Sequence, residues 1–357
     1  MLTLLFIHLG TKPPKYLLGN ILRTRDMFPN IKIVLLTDSH HLDVWGSEKD
    51  IEIAHYSTDQ MFEQKFTFGE FDMNFRKGYW QHTIERLFAI NSYHQLNPTM
   101  QVLHIESDVM LMPNFPVEEM AKLDKVAWLQ YGPNADIAAL VYSPSLSETQ
   151  RFHFNLLKQL ETHGGSDMQV LLGIREKFPE DYLTLPIVRP EIESILNRKI
   201  VELSLNSIKF SDAITEGIFD AFGIGVWLFG FDPRNRYGIT TVHTREVIDS
   251  GDLYIDASKA GYSLTESGNL YMASPGNEPI PIYSLHVHSK NLRLLSPNWL
   301  PEMTKFLEFQ NTDSKVIGFQ PRVLIQLILD SVKGKNFLNF LLQSPPSRRV
   351  RRFLRYR

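Results

Sequence analysis

Short apolar runs separated by amphipathic or turn-rich stretches dominate the first third of the chain. Leu2–His8 (LTLLFIH), Lys32–Thr37 (KIVLLT) and Ile51–His55 (IEIAH) have strand length and little polar interruption, the pattern of strands covered on both faces. Between the first two, Tyr16-Leu17-Leu18, Ile21-Leu22 and Met27-Phe28 recur at helical spacing after Pro13-Pro14, a pair that can open a helix but not sit inside one. The order β-α-β predicts right-handed crossovers and a parallel sheet whose ligands bind beyond the C-terminal ends of its strands. That rule places the loop His8, Leu9, Gly10, Thr11 and Lys12, and the strand end at Asp38, along one edge.

The stretch GYWQHTIERLFAINSYHQL predicts a second helix, with Trp80, Ile84, Leu87, Phe88 and Tyr93 on a buried stripe and Arg76, Lys77, Glu85 and Arg86 on the other faces. It leads into the apolar run Gln101–Ile105, which ends in two acids, Glu106 and Asp108, on the same edge as the loop after the first strand. Residues i and i+2 of an extended chain point the same way, about 7 Å apart, so both carboxylates are expected to face one point. That suits a divalent cation; taken alone, the pair reads equally well as solvated acids in a turn.

Val126–Gln130 and Ile137–Tyr142 predict further strands, and a helix follows from about Ser147 to Leu160. Ser166-Asp167-Met168-Gln169 looks like a helix start, with Ser166 or Asp167 as the cap. The run GIGVWLFGFDPRNRY, from Gly223 to Tyr237, mixes glycines with aromatics, as a stretch that lines something or turns tightly does; Trp227, Phe229 and Phe231 could stack on a sugar or, at strand spacing, be core, the reading favoured for all but one of them. Tyr283–His288 alternates like a strand, and apolar helical segments run from Val316 to the C-terminus.

Composition narrows the class. A chain of 357 residues, 43% hydrophobic and 22% charged, is globular, and its net charge of −3 creates no overall attraction for nucleic acid. The exception is local: RRVRRFLRYR at the C-terminus could dock on an anionic membrane surface and reads equally well as a frayed, solvated terminus. Absence of cysteine excludes disulfides and thiolate metal sites and is compatible with a reducing compartment. The first strand lacks the basic flank and cleavage site of a signal peptide, and no run approaches the roughly 18 apolar residues that span a bilayer. A cytoplasmic location, at most peripheral to the inner face of the plasma membrane, is the expectation.

The strand Tyr283–His288 extends the candidate chemistry. His286, His288 and Lys290 fall on one side of an extended chain; imidazole together with carboxylate suits Mn²⁺, carboxylates alone also suit Mg²⁺, and lysine offers a point charge for phosphate. Alone, this stretch reads as the solvated face of an edge strand. His40-His41, after Asp38, could bind metal but as adjacent loop residues read rather as solvent-facing, and His104 reads as a hydrogen-bonded core histidine.

Acids closing one apolar strand and a late histidine-lysine strand together resemble the GT-A glycosyltransferases, nucleotide-sugar enzymes in which an Asp-x-Asp motif and a late histidine hold Mn²⁺ on the donor diphosphate. Glu106-Ser107-Asp108 stands where that family has its acidic motif, and the likeness covers roughly residues 1 to 295. More loosely, Phe219-Asp220-Ala221, the pair Gly223/Gly225 and Gly230-Phe231-Asp232-Pro233-Arg234 are similar to acceptor-side loops of bacterial members.

The resemblance implies an α/β fold with a mostly parallel central sheet flanked by helices, a catalytic domain over residues 1–310 and a helical C-terminal extension over 311–357. It implies Mn²⁺ (or Mg²⁺) and a nucleotide-diphosphate sugar, in first place a UDP-sugar. Asp108 would be the direct ligand, Glu106 would contact metal, its water or ribose, and either His286 or His288 would complete the site. Arg86, Lys290 and the positions His8, Gly10, Thr11 and Asp38 would contact the nucleotide. Asp167 and Asp220 are the candidates for an acceptor base, needed only if the reaction inverts the anomeric centre. The acceptor would be a glycan or lipid-linked glycan, as in bacterial polysaccharide or lipopolysaccharide assembly.

Two departures stand out: glutamate replaces the first acid, and His-x-His-Ser-Lys is not the glycogenin-like spacing. The rival readings are a sugar nucleotidyltransferase, which would carry a glycine-rich phosphate loop where this chain has HLGTKPPK, and a non-catalytic carbohydrate-binding protein of the same fold.

Overall fold

In the first apolar run, Leu4 and Phe6 enter one hydrophobic cluster while Leu5 and Ile7 enter another, so burial on both faces follows directly from strand alternation. The structure, a computed structural model, describes residues 1–10, 13–38, 51–57, 78–132, 135–163, 165–196, 214, 216–229, 254–287 and 293–312. β1 (Leu2–His8), α1 (Lys15–Met27) and β2 (Lys32–Asp38) form the expected β-α-β unit, and β3 (Glu52–Tyr56) adds to its edge. On the other side β1 pairs in parallel with β4 (Gln101–Ile105), which α2 (Tyr79–Leu96) precedes.

The chain then departs from a purely parallel sheet. β6 (Val126–Gly132) and β7 (Ala135–Ser143) form an antiparallel pair, and β7 also lies antiparallel to β4. β8 (Tyr182–Leu185) pairs in parallel with β6, which closes a 7-stranded sheet of order β3-β2-β1-β4-β7-β6-β8 in which β7 alone runs against the rest. Helices α4 (Leu146–His163) and α5 (Asp167–Lys177) pack with α2 over one face; between β4 and β6 lie β5 (Val109–Leu111) and the short α3 (Val117–Met120). The fold is thus the mostly parallel α/β architecture expected from the sequence.

A second sheet was not anticipated. β10 (Gly261–Leu264), β11 (Leu270–Ala273), β12 (Ile280–His286) and β5 form an antiparallel sheet, and β9 (Ile218–Phe219) pairs with β12 from its other side. The run at Gly223, read from the sequence as a lining or tightly turning stretch, is in fact α6 (Gly223–Phe229), a helix with Val226, Leu228 and Phe229 buried at its packed face. The last described helix is α7 (Trp299–Thr312), so the expected boundary at 310/311 falls near its end and the extension beyond it, with the arginine-rich tail, lies outside the described residues. Among the described residues no helix is long and apolar enough to cross a membrane.

Two buried polar devices hold the edge where the strands end. On α1, Asn20 donates to the carbonyls of Ser107 (3.2 Å) and Val109 (2.7 Å), and Arg23 donates to that of Leu111 (2.5 Å) while lying 4.5 Å from the Trp299 ring centre. These donors serve the alternate carbonyls of Ser107, Val109 and Leu111, along an edge of β5 that no strand covers among the described residues. On the other flank, Asp136 of β7, fully buried, accepts both guanidinium bonds of Arg175 on α5 (2.7 and 3.0 Å) and the Trp128 indole N–H (2.8 Å). A Ser166–Gln169 capping box fixes the opposite end of α5, beside Asp167.

Removing Asp136 leaves a guanidinium and an indole N–H inside the protein without their acceptor. Asp136→Ala is expected to cost about 3 kcal/mol of folding stability, read by urea denaturation, whereas Asp181→Ala, at a half-exposed ion pair, should cost under about 1 kcal/mol. Equal losses for the two would refute the assignment of Asp136 as the anchor of α5.

Candidate functional site

The strand order reverses direction between β1 and β4: from β1 the chain builds outward through β2 and β3, and β4 opens the opposite half. Ligand crevices of open α/β sheets form outside the C-terminal ends of strands at such a point. The loop after β1 and the acids after β4 both lie there.

Glu106 and Asp108 do not sit on an extended segment, which corrects the sequence expectation. β4 ends at Ile105, and Val109 N–H donates to the Glu106 carbonyl (3.1 Å), closing a four-residue turn before β5 begins. The turn is required because the chain passes here from the first sheet into the second: Glu106 N–H still pairs with Ala139 of β7, while Val109 already pairs with β12. Both acids therefore occupy the junction of the two sheets.

Register brings in the histidine. β12 lies antiparallel to β5 with His286 opposite Val109, and Val287 N–H donates to the Asp108 carbonyl (2.8 Å). His286 Nε2 is 3.3 Å from Glu106 Oε2 and 3.6 Å from Asp108 Oδ1. One ligand atom from each of the three residues lies within 4.8 Å of the others, although 178 positions separate Asp108 from His286 in sequence (286 minus 108). His288 and Lys290, expected beside it, lie outside the described residues.

The tautomer of His286 decides what fits. Its Nδ1 is 3.0 Å from the Ala221 carbonyl, an acceptor only, so Nδ1 carries the proton and neutral His286 turns a lone pair toward two carboxylates. Three electron-pair donors converging at this distance repel one another unless a cation lies among them. Burial alone would lower the His286 pKa, but Asp108 and then Glu106 outweigh it and push it up to about 9, so in the metal-free protein a proton serves as that cation. Two carboxylates and an imidazole are also a ligand set for Mn²⁺ and similar ions, so the residues fit the metal that the sequence implied.

Arg86 does not occupy an exposed helix face. Its Nη2 contacts Glu106 Oε1 at 2.5 Å and Asp167 Oδ2 at 3.1 Å, and its Nε donates to Thr83 of its own helix. Burial pulls down its pKa, and Glu106 and Asp167 more than restore it, so the guanidinium stays charged. Glu106 is consequently shared, one oxygen turned to Arg86 and the other to His286. Asp167, which is the first residue of α5 while Ser166 is its cap, is pushed up to about 6 by burial and by Glu106, against the pull of Arg86. Tyr79, at the start of α2, keeps 39% of its surface exposed, while its phenolic end, partly desolvated and facing the charges of Glu106 and Asp167, is held above its ordinary pKa.

Asp220 has another arrangement. Its Oδ1 accepts from the N–H groups of Phe222 (3.0 Å) and Ile224 (2.9 Å), and its Oδ2 from those of Gly225 (2.6 Å) and His286 (3.2 Å). Burial raises its pKa and the backbone donors act against this, so four N–H groups occupy a carboxylate expected from sequence to be a base candidate.

On the β2 side, Gly10 N–H donates to Asp38 Oδ2 (2.7 Å), and Thr37 Oγ1 to the His8 carbonyl (2.8 Å). Gly10 has a φ of 79°, and a β-carbon there would overlap the ring of His82, which pairs with the buried Glu85 at 3.2 Å. Thr11 lies outside the described residues. His104 is a core histidine as expected: burial drives its pKa down to about 3 and it bonds the Leu5 carbonyl.

Sequence reasoning missed Asn20, Tyr79, His82 and the burial of Glu85. Asn20 had a visible signal, since it lies with Leu17, Ile21 and Thr24 at i, i+3, i+4 and i+7, a polar residue inside an apolar stripe. His82 and Tyr79 had none, because their place depends on the packing of α2 against the β1 loop.

No family model matches the chain, and no curated protein does. Among solved structures it is similar to a glycosyltransferase involved in the glycosylation of the major capsid of PBCV-1, with a TM-score of 0.32 and 11% identity over 51% of this chain and 80% of that one. It is also similar to the PaToxG glycosyltransferase, with a TM-score of 0.30 and 11% identity over 57% of this chain and 74% of that one. At such values the functional reading rests on the site itself.

Proposed function

We propose that the chain is a metal-dependent glycosyltransferase that uses a nucleotide-diphosphate sugar, in first place a UDP-sugar, with a glycan or lipid-linked glycan as acceptor. The observation that carries this reading is the convergence of Glu106, Asp108 and His286 at the reversal point of the strand order. A divalent cation held there would neutralise the diphosphate and the charge that grows on it as the anomeric bond breaks.

Each neighbouring side chain has a part in holding that arrangement. Asp108, the most exposed of the three with 16% of its side chain accessible, is the acid presented to a ligand, whereas Glu106 is restrained by Arg86. Arg86 offsets the charge of a cluster that otherwise holds three carboxylates. Asp38 fixes the β1 loop at Gly10, and His82 fills the space beside it, so this end of the crevice suits the base and ribose. Asp167, pushed up to about 6 by burial, has the basicity needed to accept the acceptor's hydroxyl proton in an inverting reaction.

Calorimetry of the purified protein with UDP is expected to show binding that requires Mn²⁺. Asp108→Asn should weaken it by at least about tenfold while the circular dichroism spectrum stays unchanged. Binding of UDP indifferent to Mn²⁺ and to this substitution would falsify the assigned ligand. For Asp167 the sign follows from its role: the base works deprotonated and its pKa is near 6, so kcat/KM of sugar transfer or UDP-sugar hydrolysis should rise through about pH 6 and level off above it. Asp167→Asn should lower the plateau and remove that limb; a limb that persists in the variant assigns it to another group.

A further inference from the structure

We propose that Asp220 is a positioning residue that sets the ring of His286, acting through two backbone bonds. This rests on the metal-site reading above and gives Asp220 a role different from that of a base. One carboxylate oxygen caps the start of α6 through Phe222 and Ile224; the other takes the N–H of Gly225 and, across the junction, the N–H of His286 at the end of β12. The same loop returns the Ala221 carbonyl to His286 Nδ1 (3.0 Å). His286 is thus gripped at its backbone and at the far side of its ring by residues 220 and 221, which leaves Nε2 aimed at Glu106 and Asp108.

Three independent features support a built grip. Asp220 is 3% exposed, and a buried carboxylate with four backbone donors is held in one orientation. β9 ends at Phe219 and runs parallel to β12, with Phe219 opposite Ser284, so the sheet itself delivers Asp220 to the level of His286. At Gly225 a β-carbon would overlap the His286 carbonyl, so the close approach of α6 to β12 requires a glycine there. The arrangement matches a general feature of metal-ligating histidines, whose second ring nitrogen donates to a fixed acceptor that settles tautomer and direction.

Two substitutions separate capping from positioning. Asp220→Ser keeps a short oxygen that can cap α6 but does not reach His286 N–H. Asp220→Asn can keep the capping oxygen while its amide faces the N–H groups of Gly225 and His286. Both are made in the full chain, and two quantities are read. In protein without metal, long-range ¹H–¹⁵N spectra of the histidines should show a protected His286 Nδ1 proton in the wild type and its fast exchange in both variants. By calorimetry, Mn²⁺ should bind the variants about 10- to 100-fold more weakly than the wild type, with thermal melts that remain cooperative.

A protected Nδ1 proton retained in both folded variants overturns the proposal and leaves Asp220 a helix cap only. So does unfolding of both variants, which makes the residue part of the scaffold. A wild type that binds no Mn²⁺ sinks the metal reading instead, and the metal-free spectra still decide the role of Asp220.

Discussion

The pairing of β5 with β12 is the constraint from which the site follows. A strand of three residues, Val109–Leu111, belongs to a different sheet from β4, which ends only a few residues earlier. The chain must turn between the two, and the turn carries Glu106 and Asp108. Because the pairing is antiparallel and in fixed register, the residue opposite Val109 is His286 and no other. A slip of one residue would turn His286 to the other face of the strand and put Leu285 or Val287 in its place. The metal-ligand geometry is therefore a consequence of strand register, and register is enforced by the buried Met110, Leu111, Ile282 and Leu285.

That junction is stiffened from both sides by polar groups placed where water does not reach. Asn20 and Arg23 of α1 satisfy carbonyls along the uncovered edge of β5, and Asp220 satisfies N–H groups at the end of β12. Buried carbonyls and N–H groups need partners, and a side chain that supplies one also fixes position. Arg86 and Asp136 repeat the principle one layer out, through Asp167 at one end of α5 and Arg175 at the other. Four carboxylates lie close together around His286, and three of them, Glu106 and Asp167 through Arg86 and Asp220 through four backbone N–H groups, have donors directed at them.

What the sequence made legible was whatever local pattern determines. Alternating and continuous apolar runs located β1, β2, β4, β6, β7 and β12 and the helices around them to within a few residues, because burial on one or both faces leaves a period in the chain itself. The acids and His286 were legible as residue types at strand ends, where polar groups interrupt an apolar run. Partner choice was not. Nothing within Val109–Leu111 distinguishes a continuation of β4 from a strand of a second sheet, and β10 and β11, of four residues each, are too short to show a period. The antiparallel course of β7 is likewise a property of its pairing with β4 and β6, to which its own sequence is indifferent.

The same distinction explains two further readings that changed. Glu85 and Arg86 looked like residues of a solvated helix face because a helix in isolation offers one, yet α2 is flanked by the β1 loop on one side and α5 on the other, and both residues are buried or nearly so. Charged groups moved from water into such a place need partners: Glu85 hydrogen-bonds His82, and Glu106 and Asp167 meet the charge of Arg86. The run at Gly223 read as a lining or tightly turning stretch whose aromatics recur at every second position. It folds as α6 because Asp220 accepts the N–H groups that a first helical turn leaves over, and because the glycine at 225 lets that turn rest against β12. In the first case segments distant in sequence bury a face that the helix alone would leave to water, and in the second a local cap from Asp220 together with the approach to β12 sets the conformation. The residues involved adjoin the acid cluster, since a site that concentrates charge inside a protein must recruit its counter-groups from elsewhere in the chain.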